Sequence, residues 1–272
     1  MIAPEDLEFA GTHGRLVVRR WPHPEPRLVV LIAHGYGEHS GRYIHVADVF
    51  SSYGAVIYAP DHAGHGRSDG DRANLSVLED MVTDLRALAA LAAADHPWLP
   101  VVLVGHSMGG IIATRYVQRY GGKDLVALVL SGPAVGGNPA LTMLLEFDPL
   151  PNIPIDPTIL SRDPHVGQAY AEDPLVYHGP LQRESLQAFV TSARAVAGGG
   201  SLAELPTLWI HGEDDQLAPL AVTREAIERI RGPRLQEKVY PGARHEIFNE
   251  TNSAEVFADI LEFLDRTLTD VP

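Results

Sequence analysis

The sequence has 272 residues, of which 45% are hydrophobic and 21% charged, and its formal net charge is −14 at neutral pH. This is ordinary globular composition, and so acidic a protein is poorly suited to bind nucleic acid or anionic lipid electrostatically. The chain contains no cysteine, which excludes disulfides, thiolate catalysis and cysteine-ligated zinc.

The N-terminal residues lack a basic stretch followed by an apolar core, so we expect no secretory signal. No apolar run approaches the ~18 residues that a transmembrane helix requires. We therefore expect a cytoplasmic protein whose contact with membranes or lipid droplets, if any, is peripheral and hydrophobic.

Short apolar runs alternate along the chain with longer helical patterns, and continuous runs such as Leu28–Ala33 are typical of parallel strands covered on both faces. This alternation predicts a doubly wound α/β fold with helices on both faces of a mostly parallel sheet. The predicted strands are Arg15–Arg19, Leu28–Ala33, Ala55–Ala59, Val101–Val104, Leu125–Leu130, Thr207–Ile210 and Leu235–Val239. The predicted helices are Tyr43–Tyr53, Leu78–Asp95, Gly110–Tyr120, Val222–Arg231 and Ser253–Leu268.

One segment, from Pro133 to about Gly200, contains no strand pattern. Nine of the 21 prolines fall within it, which predicts only short helices and loops. It follows a strand at the edge of the sheet where sites of α/β proteins lie, so we interpret it as an inserted cap or lid, with a plain surface insertion as the alternative. Residues 1–132 and 201–272 then form the core and residues 133–200 the cap, closed by a glycine run, Gly198–Gly200, that is typical of a flexible joint.

The motif G-x-S-x-G stands between the strand Val101–Val104 and a helical pattern, a context that predicts a nucleophile elbow at Ser107. A serine that attacks a carbonyl must stand clear of the backbone on a sharp turn. Small neighbours, Gly105 and Gly109, let that turn and the helix approach closely. The N-terminus of the helix also directs its amides toward a developing oxyanion.

Serine becomes a good nucleophile only when a base takes its proton and a carboxylate orients that base. Position selects His245 among the 13 histidines, because it follows the strand Leu235–Val239 and precedes the last helix. Glu213, Asp214 and Asp215 all follow the strand Thr207–Ile210. We favour Asp215, since the turn needs a few residues before a side chain can reach back. The order serine, acid, histidine is that of the α/β-hydrolase triad.

An oxyanion hole needs two backbone amides. One is expected from Met108, after the nucleophile, and the other from Tyr36 in the glycine-rich loop after Leu28–Ala33; a plain glycine turn is the alternative for that loop. His62 and His65 are spaced like a pair of metal ligands and lie near Asp61 and Asp69. Glycines flank His65, however, so we predict a structural turn and no metal site.

Six stretches together resemble the monoacylglycerol lipases of the α/β-hydrolase superfamily, the bacterial members most of all. The resemblance runs from about residue 10 to residue 265. The stretches are HGYGEHSGRY, DHAGHGRSDG, GHSMGG, SRDPHVGQAYAEDPLVYHG, HGEDDQLAP and YPGARHEIFNE. The GHSMGG motif is common to many esterases, whereas HG-x-GEHSGRY and the SRDP…AY…DPL pattern are far more specific.

The resemblance implies an α/β-hydrolase fold and a cofactor-free serine esterase that hydrolyses a monoacylglycerol, a small lipid, to glycerol and a fatty acid. It assigns the triad to Ser107, Asp215 and His245 and the oxyanion hole to Tyr36 and Met108. It also implies a polar pocket for the glycerol head, formed by Glu38, Arg42, His106 and Tyr170. Two positions depart from the family: Tyr36 is larger than usual, and Phe248 replaces a second histidine of some animal members.

The acyl chain is expected under the apolar stretch Leu141–Leu160, with a role in the core of the cap as the alternative for these residues. An exposed part of the stretch would contact lipid surfaces. Other functions of the same fold are alternatives: a short-chain carboxylesterase, a lysophospholipase, a proline-type aminopeptidase, or a receptor that keeps the triad and turns over slowly. Preference for monoacyl substrates would arise from a polar end that hydrogen-bonds free hydroxyls.

Overall fold

The computed structural model describes residues 3–76 and 78–269. A single eight-stranded sheet runs through these residues. Its strands are β1 (Glu5–Gly11), β2 (Gly14–Trp21), β3 (Leu28–Ala33), β4 (Ala55–Pro60), β5 (Val101–His106), β6 (Ala127–Ser131), β7 (Thr207–Gly212) and β8 (Leu235–Tyr240).

The helices alternate with these strands along most of the chain. They are α1 (Ile44–Ser52), α2 (Leu78–Asp95), α3 (Met108–Tyr120), α4 (Pro139–Met143), α5 (Pro164–Glu172), α6 (Arg183–Gly198), α7 (Leu220–Ile230) and α8 (Ser253–Thr269), with short 3₁₀ turns between some of them. The predicted helix Leu78–Asp95 coincides with α2, and the other four agree with the predicted bounds to within two residues at each end.

The strand order across the sheet is β1-β2-β4-β3-β5-β6-β7-β8. The pairs β1–β2 and β2–β4 are antiparallel, and all other neighbours are parallel. Every residue of β3, β4, β5, β6 and β7 is buried, and two apolar cores lie on opposite faces of the sheet. The prediction of a mostly parallel sheet with helices on both faces is therefore confirmed.

The segment between β6 and β7 contains helices and loops but no strand within residues 133–200, as the sequence predicts. The expectation that its helices are all short is wrong for α6, which has 16 residues. The prolines of this segment end at Pro180, so none of them interrupts α6. The glycine run ends α6 and is bonded to the core, since Gln118 Nε2 donates to the carbonyl oxygen of Gly200 at 2.8 Å. It is thus a hydrogen-bonded helix end.

Across the residues that the structure describes, no helix is both long and apolar enough to span a bilayer.

Candidate active site

Ser107 occupies the sharp turn between β5 and α3. Its backbone dihedrals, φ 54° and ψ −115°, are sterically unfavourable for a residue with a side chain. Glycine is required on either side: a Cβ at Gly109 would lie 2.0 Å from the carbonyl oxygen of Ala33, and one at Gly105 would lie 2.4 Å from that of Gly109. The close packing of α3 against the sheet thus holds the strained serine in place.

Asp215 and His245 follow two neighbouring strands, β7 and β8, and meet at the edge of the sheet where Ser107 lies. The Nδ1 atom of His245 lies 2.8 Å from Oδ2 of Asp215, and both side chains are buried. Because a carboxylate only accepts, Nδ1 is the donor and Nε2 is left free to accept a proton. The other oxygen of Asp215, Oδ1, accepts from the amides of Leu217 and Ala218 at 2.9 and 2.8 Å.

Asp215 and His245 each stabilise the charged form of the other. Burial of Asp215 acts to raise its pKa, but the adjacent His245 ring holds that pKa below its ordinary value. Burial likewise acts to lower the pKa of His245, yet the Asp215 carboxylate outweighs it and raises that pKa above the ordinary value near 6.5. The pair is therefore built to stabilise an imidazolium.

A second buried histidine, His211, supports Asp215 and was not identified from the sequence. Its Nε2 donates to the carbonyl oxygen of Ala218 at 2.7 Å and lies 3.4 Å from Oδ2 of Asp215, while its Nδ1 accepts from Trp209. Burial lowers its pKa, so the ring is neutral. Its position at the end of β7, four residues before Asp215, was the available signal.

Ser107 and His245 line one cavity at this edge of the sheet, which encloses about 920 Å³ of empty space including its mouth. Within the described residues, no hydrogen bond joins Ser107 Oγ to the His245 ring, which is hydrogen-bonded to Asp215. Such catalytic contacts often tighten only when substrate binds.

The two residues expected to supply the amides of an oxyanion hole lie near this serine: Met108 follows it in the chain, and Tyr36 lines the same cavity. Met108 is the first residue of α3, and its N–H has no partner within the helix. Tyr36 lies in the loop after β3, whose neighbour Gly35 comes close to the serine: a Cβ there would be 3.2 Å from Ser107 Cβ. Neither amide donates a hydrogen bond to another of the described residues.

The four residues expected at the polar end of the pocket also line this cavity. They are Glu38, Arg42, His106 and Tyr170. Arg42 Nη1 donates to Glu38 Oε2 at 2.8 Å, and its guanidinium lies 5.2 Å from the centre of the Tyr170 ring. The His106 ring lies 4.8 Å from that of His245, and burial, with a smaller contribution from His245, lowers the pKa of His106 to about 4, so it is neutral.

Glu246 belongs to the same polar end and was missed from the sequence. It also lines the cavity, and its two carboxylate oxygens accept from Arg42 Nη1 and Nη2 at 2.7 and 2.8 Å. Its proximity in sequence to His245 was the only available signal, because its partner Arg42 lies 204 positions away.

The apolar wall of the cavity differs in part from the expectation. Among the predicted stretch Leu141–Leu160, the side chains of Leu141, Ile155 and Leu160 line the cavity, whereas Met143, Phe147 and Ile153 are about half exposed to solvent. The rest of the wall comes mainly from α6, which sequence reasoning did not consider. The residues it contributes are Leu186, Phe189 and Val190.

Several hydrogen bonds tie the loop that carries His245 to residues 160–162, which lie within the segment between β6 and β7. The amide of Glu246 donates to the carbonyl oxygen of Leu160 at 2.8 Å. Ser161 Oγ donates to the carbonyl oxygen of Asn249, also at 2.8 Å, and Arg162 pairs with the buried Glu250. The histidine loop and this part of the segment therefore form one packed unit.

His62 and His65 lie in a turn after β4, with the amide of His65 donating to the carbonyl oxygen of His62 at 2.9 Å. Both rings are buried, and burial lowers the pKa of His62 well below its ordinary value. Among the described residues, no group of three histidine or acidic side chains is arranged to hold a metal ion.

Comparison with known proteins gives consistent matches over almost the whole chain. The family model described as "Serine aminopeptidase, S33" matches residues 24–252. The monoacylglycerol lipase of Mycolicibacterium smegmatis is 42% identical over 267 residues, which cover 94% of this chain and 95% of the relative. The human monoglyceride lipase is 31% identical, over 90% of this chain and 85% of the relative.

Solved structures agree with these sequence matches. The crystal structure of the Paleococcus ferrophilus monoacylglycerol lipase superimposes with a TM-score of 0.79 at 27% identity, over 93% of this chain and 99% of that one.

Proposed function

Because the chain belongs to the serine aminopeptidase S33 family of the α/β-hydrolase superfamily, with monoacylglycerol lipases among its relatives, we propose that it hydrolyses monoacylglycerols to glycerol and a free fatty acid. The chain is a carboxylic ester hydrolase. What we propose is its lipid substrate and the residues that act on that substrate.

The observation that carries the proposal is the strained Ser107, which opens into an apolar cavity that is also lined by His245, the partner of Asp215. Strain of this kind persists only where the surrounding structure enforces it, and it is concentrated at functional sites. The mostly apolar wall suits an acyl chain, and the charged and polar groups at one end suit an alcohol.

The mechanism proceeds in two acyl-transfer steps. Nε2 of His245 takes the proton of Ser107 as Oγ attacks the ester carbonyl, and Asp215 stabilises the resulting imidazolium. The same Nε2–H then protonates the glycerol oxygen as the acyl C–O bond breaks, leaving an acyl-serine. Water attacks this ester with His245 as base, and the fatty acid departs with Ser107 restored.

The negative charge of each tetrahedral intermediate falls on the former carbonyl oxygen. The amides of Met108 and Tyr36 stabilise it, and each such donor contributes roughly 3–4 kcal/mol to lowering the barrier. The positive end of α3 acts in the same direction.

We interpret residues 133–200 as a cap over this site, and the interpretation is supported by Leu141, Ile155 and three residues of α6 that line the same cavity as Ser107. The exposed apolar side chains of Met143, Phe147 and Ile153 provide a surface for contact with aggregated lipid. That contact is hydrophobic, in keeping with the net charge of −14.

The pH dependence of activity is expected to follow the protonation of His245. Only the neutral imidazole acts as a base, and the pKa of His245 is raised, so kcat/KM should fall as the pH decreases through a midpoint above 6.5. Measurement of kcat/KM from about pH 5 to 9 with a neutral ester gives this midpoint. A flat profile over about pH 5–8 would contradict the role of His245.

Substrate preference tests the proposed function directly. We expect a long-chain monoacylglycerol to exceed both a short-chain ester and an aminoacyl amide in kcat/KM by more than about tenfold, because only the long acyl chain fills the apolar wall. Steady-state rates across monoacylglycerols of increasing chain length, with prolyl and other aminoacyl amides, provide the comparison.

Three results would contradict the proposal. Faster turnover of the amide would indicate an aminopeptidase, and faster turnover of the short ester a general carboxylesterase. A single stoichiometric burst with every ester, followed by no steady state, would indicate a ligand receptor.

A further inference from the structure

A buried ion cluster of one cation and two anions forms the polar end of the cavity. Arg42 bonds to Glu38 through Nη1 and to both oxygens of Glu246 through Nη1 and Nη2, at 2.7–2.8 Å. The three side chains are only 5–10% exposed. We name these residues, Glu38, Arg42 and Glu246, the carboxylate clamp.

The carboxylate clamp carries a net charge of −1. Burial acts to raise the pKa of Glu38, but Arg42 and the neighbouring histidines hold it well below its ordinary value, so Glu38 is ionised. Among the described residues that line the cavity, Arg42 is the one permanent cation, and its charge is already shared by two carboxylates. His106 is neutral, and Asp215 adds a further negative charge behind His245.

The hydrogen-bonding capacity of the clamp favours an uncharged ligand that donates hydrogen bonds. A carboxylate has about four acceptor positions, and Glu246 uses three of them, for Arg42 and for Asn249 Nδ2 at 2.6 Å. Three of the five N–H groups of Arg42 already donate to the carboxylates. A hydroxyl group, which can donate to the remaining carboxylate acceptor position, fits this environment better than a phosphate, which would compete with two carboxylates for Arg42.

We propose that Glu246 determines specificity for the leaving alcohol: by making the clamp anionic, it restricts the site to esters of uncharged polyols and excludes esters of phosphorylated ones. This inference rests on the proposed function and narrows its substrate class. A phosphomonoester carries about −1.5 to −2 charges at neutral pH. In a water-poor pocket, its repulsion from an anionic cluster is strong because the dielectric screening is weak.

The net charge of −14 would also repel an anionic lipid aggregate from the whole protein, so the test must separate the two effects. Octanoylglycerol and octanoylglycerol 3-phosphate, both used below the concentration at which they form micelles, share one acyl chain and differ only in the phosphate. The quantity measured is the ratio of their kcat/KM values in wild type, in Glu246→Gln and in Glu172→Gln.

Glu172→Gln is the matched control, because it removes the same charge from an exposed position at the end of α5. Glutamine at position 246 keeps the shape of the side chain and the backbone bond to Leu160. A ratio is used because any loss of folded protein lowers both rates in proportion.

We expect wild type and Glu172→Gln to favour the uncharged ester by at least about 100-fold, and Glu246→Gln to reduce that preference by at least about tenfold. Comparable rates on the two esters in wild type would overturn the inference, and so would an equal ratio in the two variants. If wild type fails to hydrolyse octanoylglycerol at all, the proposed function itself is wrong, which is a different outcome from hydrolysis of both esters.

Discussion

Replacement of Ser107 by alanine is expected to reduce kcat for ester hydrolysis by about 10⁴-fold or more, because no other group can form the acyl intermediate. His245→Ala should cause a loss of similar size. The double variant should be no worse than either single one, since the two residues act as a unit. Steady-state kinetics on a long-chain monoacylglycerol measure these losses.

A fluorophosphonate that reacts with activated serines gives a second measurement of the same prediction. It should label wild type at Ser107 and leave Ser107→Ala unlabelled. Ser76→Ala, at an exposed serine in a loop, is the control and should be labelled as wild type is. Wild-type turnover by Ser107→Ala, or an active protein that the probe fails to label, would contradict the mechanism.

Replacement of Asp215 by asparagine is expected to lower kcat by about 10⁴-fold with little change in fold, by forcing the wrong tautomer of His245. The asparagine Oδ1 would keep the bonds from the amides of Leu217 and Ala218. Its Nδ2 would then face His245 and donate to Nδ1. The ring proton would move to Nε2, which could no longer accept the proton of Ser107.

Asp214→Asn is the matched control for this change, since Asp214 is adjacent and exposed. It should retain activity close to that of wild type, and circular dichroism and thermal unfolding should show both variants folded. An active Asp215→Asn, or an equal loss in Asp214→Asn, would show that the acid is misassigned among the three carboxylates that follow β7.

The central strands could be predicted from the sequence because each is buried on both faces and therefore continuously apolar. The predicted strand Leu28–Ala33 coincides with β3, all of whose residues are buried. In contrast, β1 was missed. It is an edge strand in which exposed charged residues alternate with half-buried ones, and it is defined by its antiparallel pairing with β2. This pairing is local in sequence, since only Thr12 and His13 separate the two strands, and the alternation at Leu7 and Phe9 is a strand signal that was overlooked.

The candidate site was predictable to the extent that its residues follow strands. Ser107, Asp215 and His245 each come just after a parallel strand, and parallel strands bring such residues to one edge. Glu246 has no comparable signal, because its position matters only through Arg42, which a distant loop supplies. The wall from α6 was missed for a similar reason: which face of a helix meets a cavity depends on packing.

The bonds between the histidine loop and residues 160–162 have a consequence for how substrate enters. A rearrangement that lifted those residues would pull Leu160 from the amide of Glu246 and displace the base next to it. We therefore expect substrate to enter through movement of the more exposed stretch 139–157, while residues 160–162 and the loop that carries His245 stay in place. Discrimination in such an enzyme comes mainly from the shape and charge of a pocket that exists before substrate binds.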